Sequence, residues 1–224
     1  SSVLLNEKDN AYVDFTFNLT FLKDNSFIWT SEKDGFNHIY HYNLDGSLNQ
    51  QVTSGEWEVT AYYGFNSKLK KIFYQSTEEG SINRTVYSIG LNGKNKKKLT
   101  SRQGTNEASF SADYSFFINT FSNVSTPTQY SLISSKNASV LRSIKDNSSL
   151  KDKLSTYIWS EKTFSTTKIN GYDLNYWMVK PHNFNPSKSY PLLMYQYSGP
   201  GSQKVANQWN CLLYTSDAAD DVRG

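Results

Sequence analysis

Two stretches, Phe27-Ile-Trp-Thr-Ser-Glu-Lys-Asp-Gly35 and Ile72-Phe-Tyr-Gln-Ser-Thr-Glu-Glu-Gly80, repeat one pattern along the chain. Each is an apolar, strand-like run followed by an acidic turn that ends in glycine. The next pieces also correspond: His38-Ile-Tyr-His-Tyr42 with Thr85-Val-Tyr-Ser-Ile89, and Leu44-Asp-Gly46 with Leu91-Asn-Gly93. The copies are offset by 45 to 47 residues, and β-propeller blades repeat at about 40–50 residues.

A weaker third copy follows, with strand-like runs at Phe116-Phe-Ile-Asn-Thr120 and Gln129-Tyr-Ser-Leu132. In the first two copies, Asp45-Gly46 and Asn92-Gly93 separate strand-like runs, and such pairs tolerate the positive φ angles of tight hairpins. This order of strands and turns predicts four-stranded, up-and-down blades. Because a closed propeller has about four to eight blades, we expect either that further blades precede this chain or that the repeats form another structure. The abrupt start of the sequence agrees with missing blades.

Composition limits the class of protein. The 224 residues are 37% apolar and 15% aromatic, which is enough for a packed core and argues against disorder. The aromatic excess favours strands over helices. The net charge of +3 is too small to indicate a nucleic-acid or membrane partner. No apolar run approaches the roughly 18–20 residues that cross a bilayer.

Targeting and modification signals are weak. The start, Ser1 to Glu7, lacks the charged end and apolar core of a signal peptide, so we expect it to lie inside a longer chain. The single cysteine, Cys211, allows no internal disulfide. A chain rich in Asn, Ser and Thr contains Asn-x-Ser/Thr sites by chance, and they matter only in a glycosylating host. Five such sites begin at Asn18, Asn83, Asn123, Asn137 and Asn147.

The pattern changes near residue 145. A polar stretch from Asp146 to Lys153 predicts a linker with one helical turn. Two runs, 162–167 and 169–179, then predict a hairpin around the turn Asn170-Gly171. The run Tyr190-Pro-Leu-Leu-Met-Tyr-Gln-Tyr197 predicts a strand buried on both faces of an α/β sheet. Ligands bind beyond the carboxyl ends of such strands, so chemistry is expected at residues 197–202.

The stretch Tyr190-Pro-Leu-Leu-Met-Tyr-Gln-Tyr-Ser-Gly-Pro-Gly-Ser-Gln-Lys204 resembles the opening of the hydrolase domain in dipeptidyl peptidase IV-type serine peptidases of the prolyl oligopeptidase family, including bacterial members. Met178-Val-Lys-Pro181, Pro186-Ser-Lys188 and Gly55-Glu-Trp-Glu-Val59 are also similar to that family. The resemblance implies a mostly β chain. Residues 1–150 would be the last propeller blades, and residues 151–210 would be the first strands of a truncated α/β-hydrolase domain.

The resemblance assigns one functional residue. In this family the tyrosine before the x-Gly-Pro turn donates its hydroxyl to the oxyanion, and here that residue is Tyr197. The family's Gly-x-Ser-x-Gly elbow does not occur here, so the nucleophile, acid and base would follow residue 210. Ser202 is not in an elbow, and His182 precedes the strand, out of the expected order. The glutamates that bind a substrate amino terminus in this family would lie upstream, and we interpret Glu78-Glu79 as a solvated hairpin turn.

Three other features have ordinary interpretations. His38 and His41 are three residues apart in a predicted strand, so they point to opposite faces and cannot easily share a metal ion. Lys94-Asn-Lys-Lys-Lys98 follows a hairpin turn, where lysines are solvated and discourage edge pairing. Residues 211–224, which include Cys211, depart from the family pattern and look like a translated sequencing adapter, so we expect a non-native tail.

The resemblance therefore implies a parent exopeptidase that releases dipeptides after Pro or Ala through an acyl-enzyme, with peptide substrates and without a metal or organic cofactor. This chain alone is expected to be inactive. The parent is expected to be periplasmic or secreted, with no nucleic-acid partner and no integral membrane segment, and to be a candidate homodimer. Two alternatives stay open: a propeller that binds a protein or ligand without chemistry, and an acylaminoacyl or tripeptidyl peptidase of the same superfamily.

Overall fold

The computed structural model describes residues 3–158, 160–197, 199 and 201–210. Its regular structure is almost entirely antiparallel β-sheet, and three sheets have four strands each, in sequence order. The first sheet comprises β1 (Thr20–Phe21), β2 (Ser26–Ser31), β3 (His38–Asn43) and β4 (Leu48–Gln51). The second comprises β5 (Val59–Asn66), β6 (Lys71–Ser76), β7 (Thr85–Gly90) and β8 (Lys97–Lys98). The third comprises β9 (Thr105–Phe110), β10 (Phe116–Asn123), β11 (Thr126–Ser134) and β12 (Val140–Lys145).

The three predicted copies are confirmed as three sheets of the same design. Their second strands begin at Ser26, Lys71 and Phe116, a spacing of 45 residues each time. The predicted Asx-Gly turns also form, with positive φ angles of 83° at Gly46 and 70° at Gly93. A repeat of local turns and strand lengths therefore produces a repeat of whole sheets, as in consecutive propeller blades.

The second sheet packs on both neighbours, because successive residues of β6 point to opposite faces. Ile72 and Tyr74 belong to a core cluster shared with Ile28 and Ile39 of the first sheet. Phe73, between them, belongs to a second cluster with Phe117 of the third sheet. The strand is apolar without alternation for this reason, since both of its faces are buried.

One glycine is required by the close approach of the second and third sheets. Gly64 lies at a β-bulge in β5 with a φ of 126°. A Cβ atom at this position would lie 2.0 Å from the hydroxyl oxygen of Tyr114. That hydroxyl donates a hydrogen bond to the carbonyl of Tyr63, at 3.1 Å. A side chain at position 64 would therefore push the third sheet away from the second.

The outer face of the first sheet is covered by the irregular segment that precedes it. Phe27, Tyr40 and Tyr42 form a small buried cluster there, against which Leu4 and Leu5 pack. The rings of Phe27 and Tyr42 are stacked, with centroids 5.3 Å apart.

The chain changes character after the third sheet, as the sequence predicts. The polar stretch contains a short helix, α1 (Ser148–Leu154), and no residue of this helix is buried. A two-stranded hairpin follows, formed by β13 (Lys162–Ile169) and β14 (Tyr172–Val179). Its turn residues have positive φ angles of 52° at Asn170 and 87° at Gly171, which is the conformation that Asn-Gly favours in a tight hairpin. The predicted hairpin is therefore confirmed.

Candidate functional site

The run from Tyr190 to Tyr197 has no regular secondary structure, so the prediction of a strand buried on both faces is wrong for this structure. Leu192, Leu193 and Met194 are 78%, 72% and 72% exposed. A strand is stabilised by hydrogen bonds to a neighbouring strand and by layers over its faces. Within the described part of the chain, no strand pairs with this run. Its apolar composition alone therefore does not bury it.

Tyr197 lies at the end of that run, directly before the glycine-rich turn. Its side chain is 62% exposed, and none of the described residues makes a hydrogen bond to its hydroxyl. The ring lies against Gly199, where an added Cβ atom would be 2.6 Å from Cε1 of Tyr197. The ammonium group of Lys204 lies 5.3 Å from the ring centroid. An added Cβ atom would also lie 2.9 Å from the hydroxyl oxygen of Tyr197, so glycine at position 199 lets the phenol ring and its hydroxyl lie close to the backbone of the turn.

The segment after the turn contacts the second and third sheets. Asn207 donates its backbone N–H to the carbonyl of Ile82, at 2.8 Å. Trp209 donates its backbone N–H to Oγ of Ser122, at 3.1 Å. Gln203 donates from Nε2 to the carbonyl of Ser81, at 2.8 Å. The segment from Gln203 to Trp209 is therefore attached to the loop between β6 and β7 and to β10.

The β13–β14 hairpin contacts the same region. Asn175 donates from Nδ2 to Oγ of Ser81, at 2.8 Å. Lys162 donates to Oδ1 of Asn210, at 2.6 Å, and its ammonium group also lies 4.9 Å from the ring centroid of Trp177. Partial burial lowers the pKa of Lys162. The loop around Ser81 is thus a meeting point for the hairpin and for the segment 203–210.

Glu78 and Glu79 lie in the turn that the sequence predicts; Glu79 is exposed, whereas Glu78 is partly buried. Glu78 forms an ion pair with Lys96, and Glu79 forms one with Lys98, at 2.8 Å. The hydroxyl of Tyr87 also donates to Glu79, at 3.0 Å. The hydrogen bond from Lys98 lowers the pKa of Glu79, and burial raises the pKa of Tyr87. Both carboxylates are thus engaged by lysines that the turn brings opposite them.

The lysine run itself is close to the prediction. Lys97 and Lys98 form β8, which is the edge strand of the second sheet. Lys97 donates to the carbonyl of Lys136, in the turn between β11 and β12 of the third sheet, at 2.6 Å. Lys94, Lys96 and Lys98 are exposed as predicted, and Lys96 and Lys98 also form ion pairs with the glutamates described above. The run connects parts of the propeller.

His38 and His41 are both buried and have separate partners. His38 contacts Oγ1 of Thr53 at 3.1 Å through Nδ1 and the carbonyl of Gly55 at 2.9 Å through Nε2. His41 contacts Oγ of Ser26 at 2.7 Å through Nε2. In the described ranges, no three His, Cys, Asp or Glu side chains come together as metal ligands. Both histidines are accounted for by hydrogen bonds within the first sheet and its loops.

The burial of His41 predicts an acid-sensitive fold. Burial lowers the pKa of His41 in the folded chain, against a weaker opposing effect of Asp24. The unfolded chain then binds the proton more readily, so this contribution to stability is complete above a pH of about 6.5 and is lost as the pH falls through the lowered pKa of the folded state. Urea unfolding at about pH 7.5 and about pH 5 measures this loss.

Two variants isolate the histidine responsible. The loss of unfolding free energy on acidification is expected to be smaller in His41→Gln than in the parent chain. His182→Gln, at an exposed loop position, is the matched control and should retain the full loss. Equal pH dependence in His41→Gln and the parent would show that another group is responsible.

Two side chains that the sequence interpretation excludes from catalysis lie in loops. The backbone N–H of Ser202 donates to the carbonyl of Gly199, at 3.2 Å, within the turn. His182 is exposed in the loop after β14. Their exclusion remains a prediction, and the tail 211–224 with Cys211 lies outside the described residues. Helical segments in the described part of the chain fall short of the length and hydrophobicity that a bilayer span needs.

Three successive four-stranded antiparallel sheets, packed face to face and followed by a docked hairpin and loop, define a β-propeller segment. The family model described as the dipeptidyl peptidase IV N-terminal region matches residues 1–128. The chain belongs to the dipeptidyl peptidase IV family.

Individual relatives agree with this family. The chain is 31% identical to dipeptidyl peptidase 4 of Trichophyton rubrum and 32% identical to that of Arthroderma otae, in each case over 98% of the chain and 30% of the relative. The crystal structure of Porphyromonas gingivalis dipeptidyl peptidase 4 aligns with a TM-score of 0.86 and 43% identity, over 93% of this chain and 30% of that one. A Bacteroides ovatus structure at 24% identity, with a TM-score of 0.73, supports the fold alone. The chain therefore spans about 30% of the length of the relatives that it matches.

Sequence reasoning missed the docking residues Arg84, Gln203 and Asn207. In the sequence Arg84 lies beside a turn and resembles any surface cation. Its partner Gln203 is 119 positions away, so no local pattern joins them. The one available signal was the Ser-Gln pair in the family-like stretch, but nothing local indicates what the glutamine contacts.

Proposed function

We propose that this chain is part of a serine exopeptidase that releases dipeptides from the amino ends of peptides, after Pro or Ala. The observation that carries the proposal is the position of Tyr197 in a chain of this family. Its exposed side chain precedes a glycine turn, and its ring packs against that turn. In acyl transfer a negative charge develops on the former carbonyl oxygen, and a hydroxyl placed in advance at that point stabilises it.

The remaining chemistry belongs to residues outside this chain. A serine would attack the scissile carbonyl, a histidine would transfer the proton, and an aspartate would orient the histidine. Tyr197 would donate to the oxyanion at both the acylation and the deacylation step. In this proposal residues 1–150 are propeller blades and residues 151–210 begin the α/β-hydrolase domain. The 224-residue chain alone is then inactive, because it lacks a nucleophile.

The propeller supplies access control in this proposal. Stacked blades enclose a limited space, so short or unfolded peptides would reach the site and folded proteins would not. The parent protein would act in the periplasm or outside the cell, where such peptides arise, and it would bind peptides without a cofactor. A homodimer would form through regions beyond those described.

A fluorogenic Gly-Pro substrate tests the proposal on two proteins. The longer protein from the same reading frame is expected to turn the substrate over, and the 224-residue chain is expected to show no turnover above background. Mass spectrometry of the products from a short peptide then identifies the unit released. Dipeptides support the proposal, whereas tripeptides or acylated amino acids favour another peptidase of the superfamily. Absence of any peptide hydrolysis by the longer protein favours a binding propeller.

A further inference from the structure

Arg84 connects the propeller to the segment that follows Tyr197. One terminal nitrogen of its guanidinium, Nη1, donates to the carbonyls of Ser81 and Asn83, at 2.9 and 2.8 Å. The other, Nη2, donates to Oε1 of Gln203. The planar guanidinium is thus oriented by carbonyl groups of its own loop, and its second terminal nitrogen, Nη2, points to Gln203. Gln203 returns a hydrogen bond from Nε2 to the carbonyl of Ser81, at 2.8 Å.

Asn207 makes the second connection and uses all its polar groups. Its N–H donates to Ile82 at 2.8 Å, and its carbonyl accepts from Oγ1 of Thr105 at 3.1 Å. Its Oδ1 accepts from the backbone N–H of Val124 at 3.2 Å, and its Nδ2 donates to Oδ1 of Asn83 at 3.0 Å. One side chain thus ties the segment to the second sheet and the third at once.

The loop between β6 and β7, which carries Arg84, is itself held to the third sheet by backbone hydrogen bonds. The backbone N–H of Arg84 donates to the carbonyl of Gly104, at 2.9 Å, and its carbonyl accepts from the backbone N–H of Asn106, at 3.0 Å. Nδ2 of Asn106 also donates to that carbonyl, at 2.9 Å. Because Arg84 is bonded to the first strand of the third sheet, its guanidinium is attached to the rigid part of the molecule.

We propose that Arg84, Gln203 and Asn207 form a polar clasp that positions the hydroxyl of Tyr197. Gln203 is only six residues after Tyr197, with the glycine turn between them. Attachment at both Gln203 and Asn207 therefore limits where that turn, and the ring packed on it, can lie relative to the propeller. The clasp makes Arg84 a positioning residue, which acts through Tyr197. This inference rests on the proposed function of Tyr197 as an oxyanion donor.

Hydrogen exchange on the 224-residue chain tests the clasp itself. Arg84→Ala is expected to raise the exchange rates of the Asn207 and Trp209 amides by about tenfold or more, since these are bonded to Ile82 and Ser122. Amides of the buried strand β6 should be unchanged, which shows that the chain is still folded. Arg142→Ala, at an exposed position in β12, is the matched control and should alter neither set. Unchanged exchange at Asn207 and Trp209 in Arg84→Ala would overturn the clasp.

A double-mutant cycle in the longer, active protein tests the positioning role. Arg84→Ala is expected to lower kcat about tenfold with KM nearly unchanged, because a small displacement of a donor weakens transition-state binding. In the Tyr197→Phe background the same change should have little effect, since the two residues act as one unit. Asn207→Asp, which replaces the Nδ2 donor with a negatively charged acceptor facing Oδ1 of Asn83, is a second variant and should show the same dependence on Tyr197.

The outcomes separate this inference from the proposed function. If Tyr197→Phe lowers kcat while Arg84→Ala does not, or if their losses multiply independently, the positioning role is overturned and the oxyanion role remains. If Tyr197→Phe leaves kcat unchanged, both are overturned.

Discussion

Tyr197→Phe is expected to lower kcat of the longer, active protein by about 10²- to 10³-fold, the effect seen when one oxyanion donor is removed. The substitution keeps the aromatic ring, whose Cε1 and Cζ atoms lie close to Gly199, and removes only the hydroxyl. KM for a Gly-Pro substrate should change little, because the oxyanion exists in the transition state and not in the bound substrate. Steady-state kinetics on purified protein measure both constants.

Tyr195→Phe is the matched control for this experiment. Tyr195 lies two residues earlier in the same irregular run and is 51% exposed, compared with 62% for Tyr197. The same hydroxyl is removed from the same kind of surface, and kcat should stay within about twofold of the parent value. A loss of kcat in Tyr195→Phe as large as in Tyr197→Phe would contradict a specific role for Tyr197.

Phe73→Ala is expected to destabilise the chain by about 3–5 kcal/mol, the range for a buried phenylalanine. Phe73 is 1% exposed, and its ring centroid lies 4.8 Å from those of both Phe110 and Tyr114. Truncation would leave a cavity between the second and third sheets, where these rings pack. Equilibrium unfolding in urea, monitored by far-ultraviolet circular dichroism, measures the change in unfolding free energy.

Phe116→Ala serves as the comparison. Phe116 is the same residue type in β10, but it is 44% exposed on the other face of the third sheet, so its truncation should change the unfolding free energy by about 1 kcal/mol or less. Comparable destabilisation by the two substitutions would mean that the second and third sheets do not share the core described here.

The blades were the part of the structure most open to prediction. The apolar strand-like runs and the positive φ angles at Gly46 and Gly93 are set by residues within one hairpin, so the sequence pattern predicts them directly. The hairpin around Asn170-Gly171 was predictable for the same reason. The candidate site was predictable only at Tyr197, and only through the family-like stretch, because an isolated tyrosine after an apolar run has no catalytic signature of its own.

Burial and charge pairing were less predictable, because both depend on distant partners. β6 and the run 192–194 are similarly apolar, yet Ile72 is fully buried and Leu192 is 78% exposed. The difference is that β6 has sheets on both faces, whereas no described strand adjoins the second run. From the sequence alone Glu78 is expected to be solvated, because its partner Lys96 is brought opposite it only when β7 folds back.

The sequence by itself determined three blades, their turns, the hairpin and the family, because apolar runs and Asx-Gly turns are properties of short segments and their repetition is visible along the chain. Only the tertiary structure decided which glutamates are paired, which apolar run is exposed, and how Arg84 meets Gln203 across 119 residues. Sheet packing sets how far apart the groups in those contacts lie in space. The local sequence around each group does not indicate its partner.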